Sequence, residues 1–241
     1  MEQLTHSPAL RYYATETTVQ TEFLTETILS EYTLTLYLNG TLYQNFHCIP
    51  EALEELILGH LYTSGMIGSM EDVISYSIDR TMGTAYFDIK KQDRKMKRLS
   101  DIAIHPEEIL PLSNKLLTTS KVFEKTGNVH SVMLCRGGTV LYFSEDVDRY
   151  HAFEKTVGKA FKDGVSFDTT SIYTTGRIPS QIATKAIFAG IPMIVSRSAP
   201  TDLTIALAKD YHLTVIGFAR GERMNVYYPL SPQAFNNEKL V

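Results

Sequence analysis

The chain is 241 residues long, 44% hydrophobic and 21% charged, values that suit a folded globular protein of one large or two small units. Its formal net charge of −4 argues against non-specific contact with nucleic acid, which needs a basic surface. No apolar run nears the about 20 residues that span a bilayer, and the stretch Met1 to Pro8 lacks the basic and apolar regions of a signal peptide. The expectation is therefore a cytoplasmic protein without membrane insertion.

In chain order, residues 1–15 show no clear period and read as a frayed tail. From Thr21 to His47 polar and apolar residues alternate, and Asn39-Gly40 supplies a strong hairpin signal between two strands. Pro50 opens a helix whose Leu53, Leu56, Ile57, His60 and Leu61 share one face, with Gly65 closing it. Strands are expected at 72–79 and 84–90. Residues 90–98, Lys-Lys-Gln-Asp-Arg-Lys-Met-Lys-Arg, form a charge run, and 91–111 read as a linker or mobile loop. A helix at 112–126 then leads to strands 129–136 and 139–144, joined at Gly137-Gly138, and to a helix at about 148–162. Strands near 169–174, 192–196 and 213–219 alternate with helices 179–189 and 201–211, which predicts crossover connections and a parallel core. The expected class is α/β (α+β overall), with a smaller β-rich subdomain at 1–111 and a second subdomain at 112–241 whose mixed sheet is flanked by helices.

The last three strands each run into a loop built from Gly, Ser, Thr and Arg. Loops at the carboxyl ends of parallel strands are where open α/β sheets bind ligands. Backbone N–H groups beside glycine, hydroxyls and guanidinium forks suit phosphate. The first candidate is Phe218-Ala219-Arg220-Gly221-Glu222-Arg223, where two arginines offer bidentate contacts and Gly221 permits close backbone approach. Ser196, Arg197, Ser198 and Thr201 occupy the same edge one strand over, with Thr201 also placed to cap the next helix. Gly176-Arg177 forms the third such loop. A phosphorylated, nucleotide-like ligand is expected here. Asp146, Arg149 and His151 are candidates for a polar cluster at the ligand's far end, whereas His130 reads as a structural histidine.

The only cysteines are Cys48 and Cys135, far apart in sequence, so neither a CxxC zinc site nor a CxxC redox pair exists, and no metal site is expected. A deaminase-like hydrolase would need H-x-E together with P-C-x-x-C, and these motifs do not occur together.

Six segments in order carry a family resemblance. They are Leu36-Tyr-Leu-Asn-Gly40, Pro50-Glu-Ala-Leu-Glu-Glu-Leu56, Gly59-His-Leu with Ser64-Gly65, Glu145 to Lys155, Ser196 to Thr201, and Gly217 to Tyr227. Across about residues 20–90 and 128–228 the chain resembles the formate dehydrogenase accessory protein family, FdhD. The resemblance implies a cytosolic homodimer whose C-terminal part is cytidine-deaminase-like without the zinc. It also implies binding of the guanine dinucleotide form of the molybdenum cofactor (molybdopterin guanine dinucleotide) at the loops named above. Sulfur would pass from a cysteine desulfurase to that cofactor before insertion into formate dehydrogenase. The family carries this sulfur on a CxxC cysteine in the loop between the two units, yet Arg94 to Pro111 contain no cysteine here. The family pattern also has Gly where this chain has Asp148 and His where it has Tyr150, which predicts altered local geometry. Two readings stay open: a sulfurtransferase using another thiol, with Cys48 the candidate, or a non-catalytic cofactor chaperone.

Overall fold

The computed structural model describes residues 3–230. Its first element corrects the expected tail. Strand β1 (Leu4–Ala14) pairs antiparallel with β2 (Val19–Leu29) along its whole length, from Leu4 opposite Leu29 to Ala14 opposite Val19. Pro8 sits in β1 at no cost to a ladder, because β1 has one neighbour only. The base of this ribbon, Leu4 and Leu29, packs on Ile49, Val122 and Val129 of the body.

The next unit is a four-stranded sheet in the order β4-β3-β6-β5, from β3 (Tyr32–Leu38), β4 (Thr41–Cys48), β5 (Val73–Asp79) and β6 (Thr84–Ile89). Asn39 and Gly40 make the expected turn, both at positive φ, and the Asn39 side chain reaches across to the backbone of Ile89. One face of this sheet is covered by α1 (Leu53–Thr63), whose apolar stripe holds Leu53, Leu56, Ile57 and Leu61 as expected. Residues 90–105 then run without regular structure. Helix α2 (Pro106–Thr119) starts six residues before the position expected, because Pro106 stands at a first helical turn that tolerates its missing N–H. Ser120 breaks the helix expected to continue to 126. Its hydroxyl accepts from Phe123 N and starts a separate α3 (Lys121–Thr126).

The second sheet has six strands in the order β12-β11-β10-β9-β7-β8. Strands β9 (Ser171–Thr174), β10 (Met193–Ser196) and β11 (Thr214–Arg220) are parallel, as the alternation with α5 (Ser180–Ala189) and α6 (Asp202–Tyr211) predicts. Strands β7 (His130–Arg136) and β8 (Thr139–Asp146) turn at Gly137-Gly138 and add antiparallel to β9. Strand β12 (Arg223–Tyr228) was not expected and pairs back on β11. Helix α4 (Arg149–Lys162) joins the two sheets by packing on α1 with almost no gap. A Cβ on Gly59 would lie 1.9 Å from the Glu154 carbonyl oxygen, and one on Gly158 would lie 1.9 Å from that of Glu55. Only glycine allows this approach. One continuous apolar cluster therefore includes Leu36, Phe87, Leu58, Phe153, Ile172 and Val215, drawn from both sheets and the helices between them.

Candidate functional site

The carboxyl ends of β9, β10 and β11 converge on one edge, and short polar side chains lock their loops together. Ser196 is fully buried; its hydroxyl donates to Gly176 O (2.6 Å) and accepts from Ser198 N (2.8 Å). Arg197 N donates to Thr174 O, Ile178 N to Ala199 O, and Phe218 N to Ser198 O. Thr201 caps α6 by accepting from Thr204 N, while the Thr204 hydroxyl holds Ile178 O at 2.7 Å. Two of the four residues singled out in this loop, Ser196 and Thr201, thus hold the loops in place.

Residues 218–223 differ from the loop expected. They form the end of a β-hairpin: Arg220 faces Arg223 across the two-residue turn Gly221-Glu222. A bulge lies between Gly217 and Arg220, with Phe218 at φ 51°. Gly217 is squeezed there, since a Cβ would meet Ser198 O and the Tyr227 ring at 2.9 Å. The bulge turns the Phe218 ring to the Arg220 guanidinium, 5.8 Å from its centroid. Ala219 is buried, and its carbonyl accepts from the Ser113 hydroxyl on α2.

Sequence reasoning missed Ser113 and its neighbour Asn114. The Asn114 amide bonds both the N–H and the carbonyl of Gly221 at 3.0 Å, clamping the hairpin tip to α2. Arg197 reaches the same spot, donating to Ser113 O (3.0 Å) and Asn114 Oδ1 (3.3 Å). Burial, and after it the charge of Arg220, lowers the Arg197 pKa from its usual value. Nothing in the local sequence of α2 marks Ser113 or Asn114, because their partners lie about a hundred positions away.

Beside Arg197 opens a cavity of about 300 Å³ lined by Leu117, Phe123, Val129, His130, Val147 and Thr175. His130 is half-buried at its rim, and Gly176 leaves room for it: a Cβ there would sit 3.2 Å from His130 Nδ1 and 3.4 Å from Arg149 Cβ. Burial lowers the His130 pKa, and the charges of Arg149 and Arg177 push the same way. The expected cluster of Asp146, Arg149 and His151 is divided. Arg149 stands beside Gly176, whereas Asp146 is fully buried, ion-paired to Lys155 at 2.6 Å and bonded by Ile49 N. His151 turns inward too, bonded to His47 O at 3.1 Å. Asp148 causes no distortion. It sits in ordinary extended backbone and caps α4 by accepting from Tyr150 N at 2.6 Å.

Among the described residues, none of Arg149, Arg177, Arg197, Arg220 and Arg223 forms an ion pair. Arg177, Arg220 and Arg223 are exposed. Such an edge offers positive charge, two rigid loops and a hairpin tip, with a half-apolar cavity alongside. It can hold an anion with an attached ring system. The thiols are elsewhere. Cys48 and Cys135 are both fully buried, and burial pushes each up to about 12, only partly offset by Lys155 near Cys48 and by Lys115 near Cys135. No group of three or more His, Cys, Asp or Glu suited to a metal ion occurs among the described residues, and no helix there is long and apolar enough to cross a membrane.

The family model described as FdhD/NarQ matches residues 29–100 and 81–231. The chain belongs to the FdhD/NarQ family. Among its relatives, the sulfur carrier protein FdhD of Listeria innocua is 32% identical over 231 residues, covering 83% of this chain and 88% of the relative. The sulfur carrier protein FdhD of Bacillus subtilis is 31% identical over 229 residues, covering 83% and 87%. A crystal structure described as a formate dehydrogenase accessory protein from Desulfotalea psychrophila superposes with a TM-score of 0.81 at 26% identity, covering 96% of this chain and 99% of that one. This FdhD/NarQ chain therefore shares its overall fold with a solved relative.

Proposed function

We propose that this FdhD/NarQ protein is an accessory factor of formate dehydrogenase maturation that binds the guanine dinucleotide form of the molybdenum cofactor at the β9–β10–β11 edge. The observation that carries the binding is the set of five arginines that have no acidic partner among the described residues, beside loops tied to one another. A diphosphate bridging a guanosine and a pterin supplies the missing negative charge, and the adjacent cavity suits one of the two ring systems. By family resemblance the protein works in the cytoplasm as a homodimer between a cysteine desulfurase and formate dehydrogenase.

The thiols favour a division of labour in which this chain binds the cofactor without carrying sulfur itself. A sulfur carrier needs an exposed thiolate that reaches both donor and acceptor. Both cysteines here are fully buried with pKa values raised to about 12, and the segment 90–105 has no cysteine. We expect that incubation with a cysteine desulfurase and cysteine adds no sulfur to the chain, read as intact mass. An adduct of one sulfur would contradict this. Its loss in Cys48→Ser but not in Cys135→Ser would make Cys48 the carrier and restore the sulfurtransferase reading.

A further inference from the structure

Residues 90–98 hold six basic side chains against one acidic one, in a chain whose net charge is −4. The fold does not leave this run loose. Gln92 N bonds Met66 O, Arg94 N bonds Gly65 O, and Leu99 N bonds Tyr211 O. The Arg94 guanidinium turns inward over the Tyr62 ring and donates to three carbonyls, Tyr62 O (3.1 Å), Ile67 O (2.9 Å) and Phe188 O (2.7 Å). Met96 and Leu99 also point in, packing on the main apolar cluster. This inward alternation leaves Lys91, Lys95, Lys97 and Arg98 exposed along an extended strap.

Two depressions flank the strap. One, of about 410 Å³, lies between Lys95, Lys97 and Arg98 on one side and Ile187, Phe188 and Gly190 on the other. The second, of about 460 Å³, lies beside Lys91 and reaches Met66, Met96 and Tyr211. Together they make a groove with a cationic rim and a partly apolar floor. Of the strap's charged groups, Lys95 is paired only with exposed Asp93, a contact of little energetic weight. The one further acid on the rim is Asp168.

We propose that this strap is a docking groove for an extended acidic peptide segment of a partner protein, one that alternates carboxylates with apolar residues. Spacing favours a long ligand over a small anion. Fully extended, the six-residue step from Lys91 to Lys97 spans about 20 Å at ~3.3 Å per residue, so a single diphosphate cannot engage the whole rim. The acidic remainder of the protein decides against a nucleic acid strand, because it repels a long polyanion. A carboxylate-bearing peptide matches both the rim charges and the floor. The strap is bonded to Gly65, Met66 and Tyr211, none of which belongs to the arginine edge.

The test is fluorescence anisotropy with a short fluorescein-labelled peptide of alternating Glu and Leu, titrated with the full chain at low and at physiological salt. The parent should bind, more weakly at the higher salt. The variant Lys91→Glu/Lys95→Glu/Lys97→Glu/Arg98→Glu should lose at least tenfold in affinity. Its thermal midpoint should be unchanged, because all four side chains are exposed. The same variant should bind guanosine diphosphate as the parent does, which separates this proposal from the cofactor reading. No binding by the parent, equal binding by the fully folded variant, or equal binding of a single-stranded oligonucleotide or of inorganic pyrophosphate would overturn it.

Discussion

At the seam between α1 and α4 every buried charge has an opposite charge beside it, whereas five arginines at the carboxyl edge of β9, β10 and β11 have none among the described residues. Glu154 sits in the interior between His60 (2.8 Å) and the half-buried Lys185 (2.7 Å), and Asp146 lies buried against Lys155 (2.6 Å). These charges answer one another because the low-dielectric interior makes an unpaired ion costly. At the edge, water is available and the arginines need no internal partner, so their charge is free for a ligand. The difference separates what holds the molecule together from what it holds.

Removing one member of the seam should have the largest effect. Glu154→Gln keeps the shape and leaves Lys185 and His60 facing a neutral amide, a change that costs about 3–5 kcal/mol when a buried pair is broken. Urea denaturation checks this, and a midpoint within error of the parent would mean that the seam is held by packing alone. Gly59→Ala probes that packing. Its Cβ has no room 1.9 Å from a helix carbonyl, and overpacking of this kind costs about 1–3 kcal/mol or more. Neither variant should alter the affinity for guanosine diphosphate at temperatures where it is folded.

The seam also predicts an acid limb. Burial alone would raise the pKa of Glu154, but the charges of Lys185 and His60 override it and hold the carboxyl at about 2, below its ordinary 4.5. A depressed carboxyl stabilises the fold fully above its unfolded value, and that contribution is lost as pH falls from 4.5 toward 2. Thermal midpoints measured across this window should drop for the parent and flatten for Glu154→Gln. Parallel curves would assign the acid limb to other carboxylates.

At the edge the effect should appear in binding and not in stability. Arg223 is exposed and has no ion-pair partner among the described residues, so Arg223→Ala should leave the stability within about 0.5 kcal/mol of the parent. It should weaken guanosine diphosphate binding in calorimetry at least tenfold, since a charge-assisted contact contributes about 1.5–3 kcal/mol. An unchanged affinity would remove Arg223 from the site. A parent that fails to bind the nucleotide would remove the edge.

The sequence alone marks the seam and the edge to different degrees. The stripe of α1 and the parallel strands of the second sheet follow from periodicity, and Asn39-Gly40 and Gly137-Gly138 from turn chemistry. The edge loops follow from their position after those strands. Hidden from such reading is whatever depends on a distant partner. Strand β1 shows a weak pattern because its ribbon stands largely clear of the body, and Tyr12 and Phe23 are 64% and 85% exposed. Strand β12 is masked because the bulge at Phe218 and the Gly221-Glu222 turn make 217–223 look like one loop. Ser196 looks like a ligand contact, but its hydroxyl donates to Gly176 O, twenty positions away. The positioning residues Ser113 and Asn114 carry no local signal at all.

Thr201 gives the smallest and most diagnostic effect, because it lies in the edge by sequence and in the scaffold by structure. Its hydroxyl accepts from Thr204 N at 3.4 Å and lies 3.1 Å from the Thr204 hydroxyl, which in turn donates to the Ile178 carbonyl in the loop after β9. Loss of such a cap costs ~1 kcal/mol. Thr201→Ala should therefore lower stability by about that amount while changing guanosine diphosphate affinity less than Arg223→Ala does. Thr201→Ser should restore the stability, since a serine hydroxyl caps as well. If Thr201→Ala instead keeps full stability and loses nucleotide affinity as strongly as Arg223→Ala, the hydroxyl touches the ligand directly, and scaffold and binding surface are one and the same at this loop.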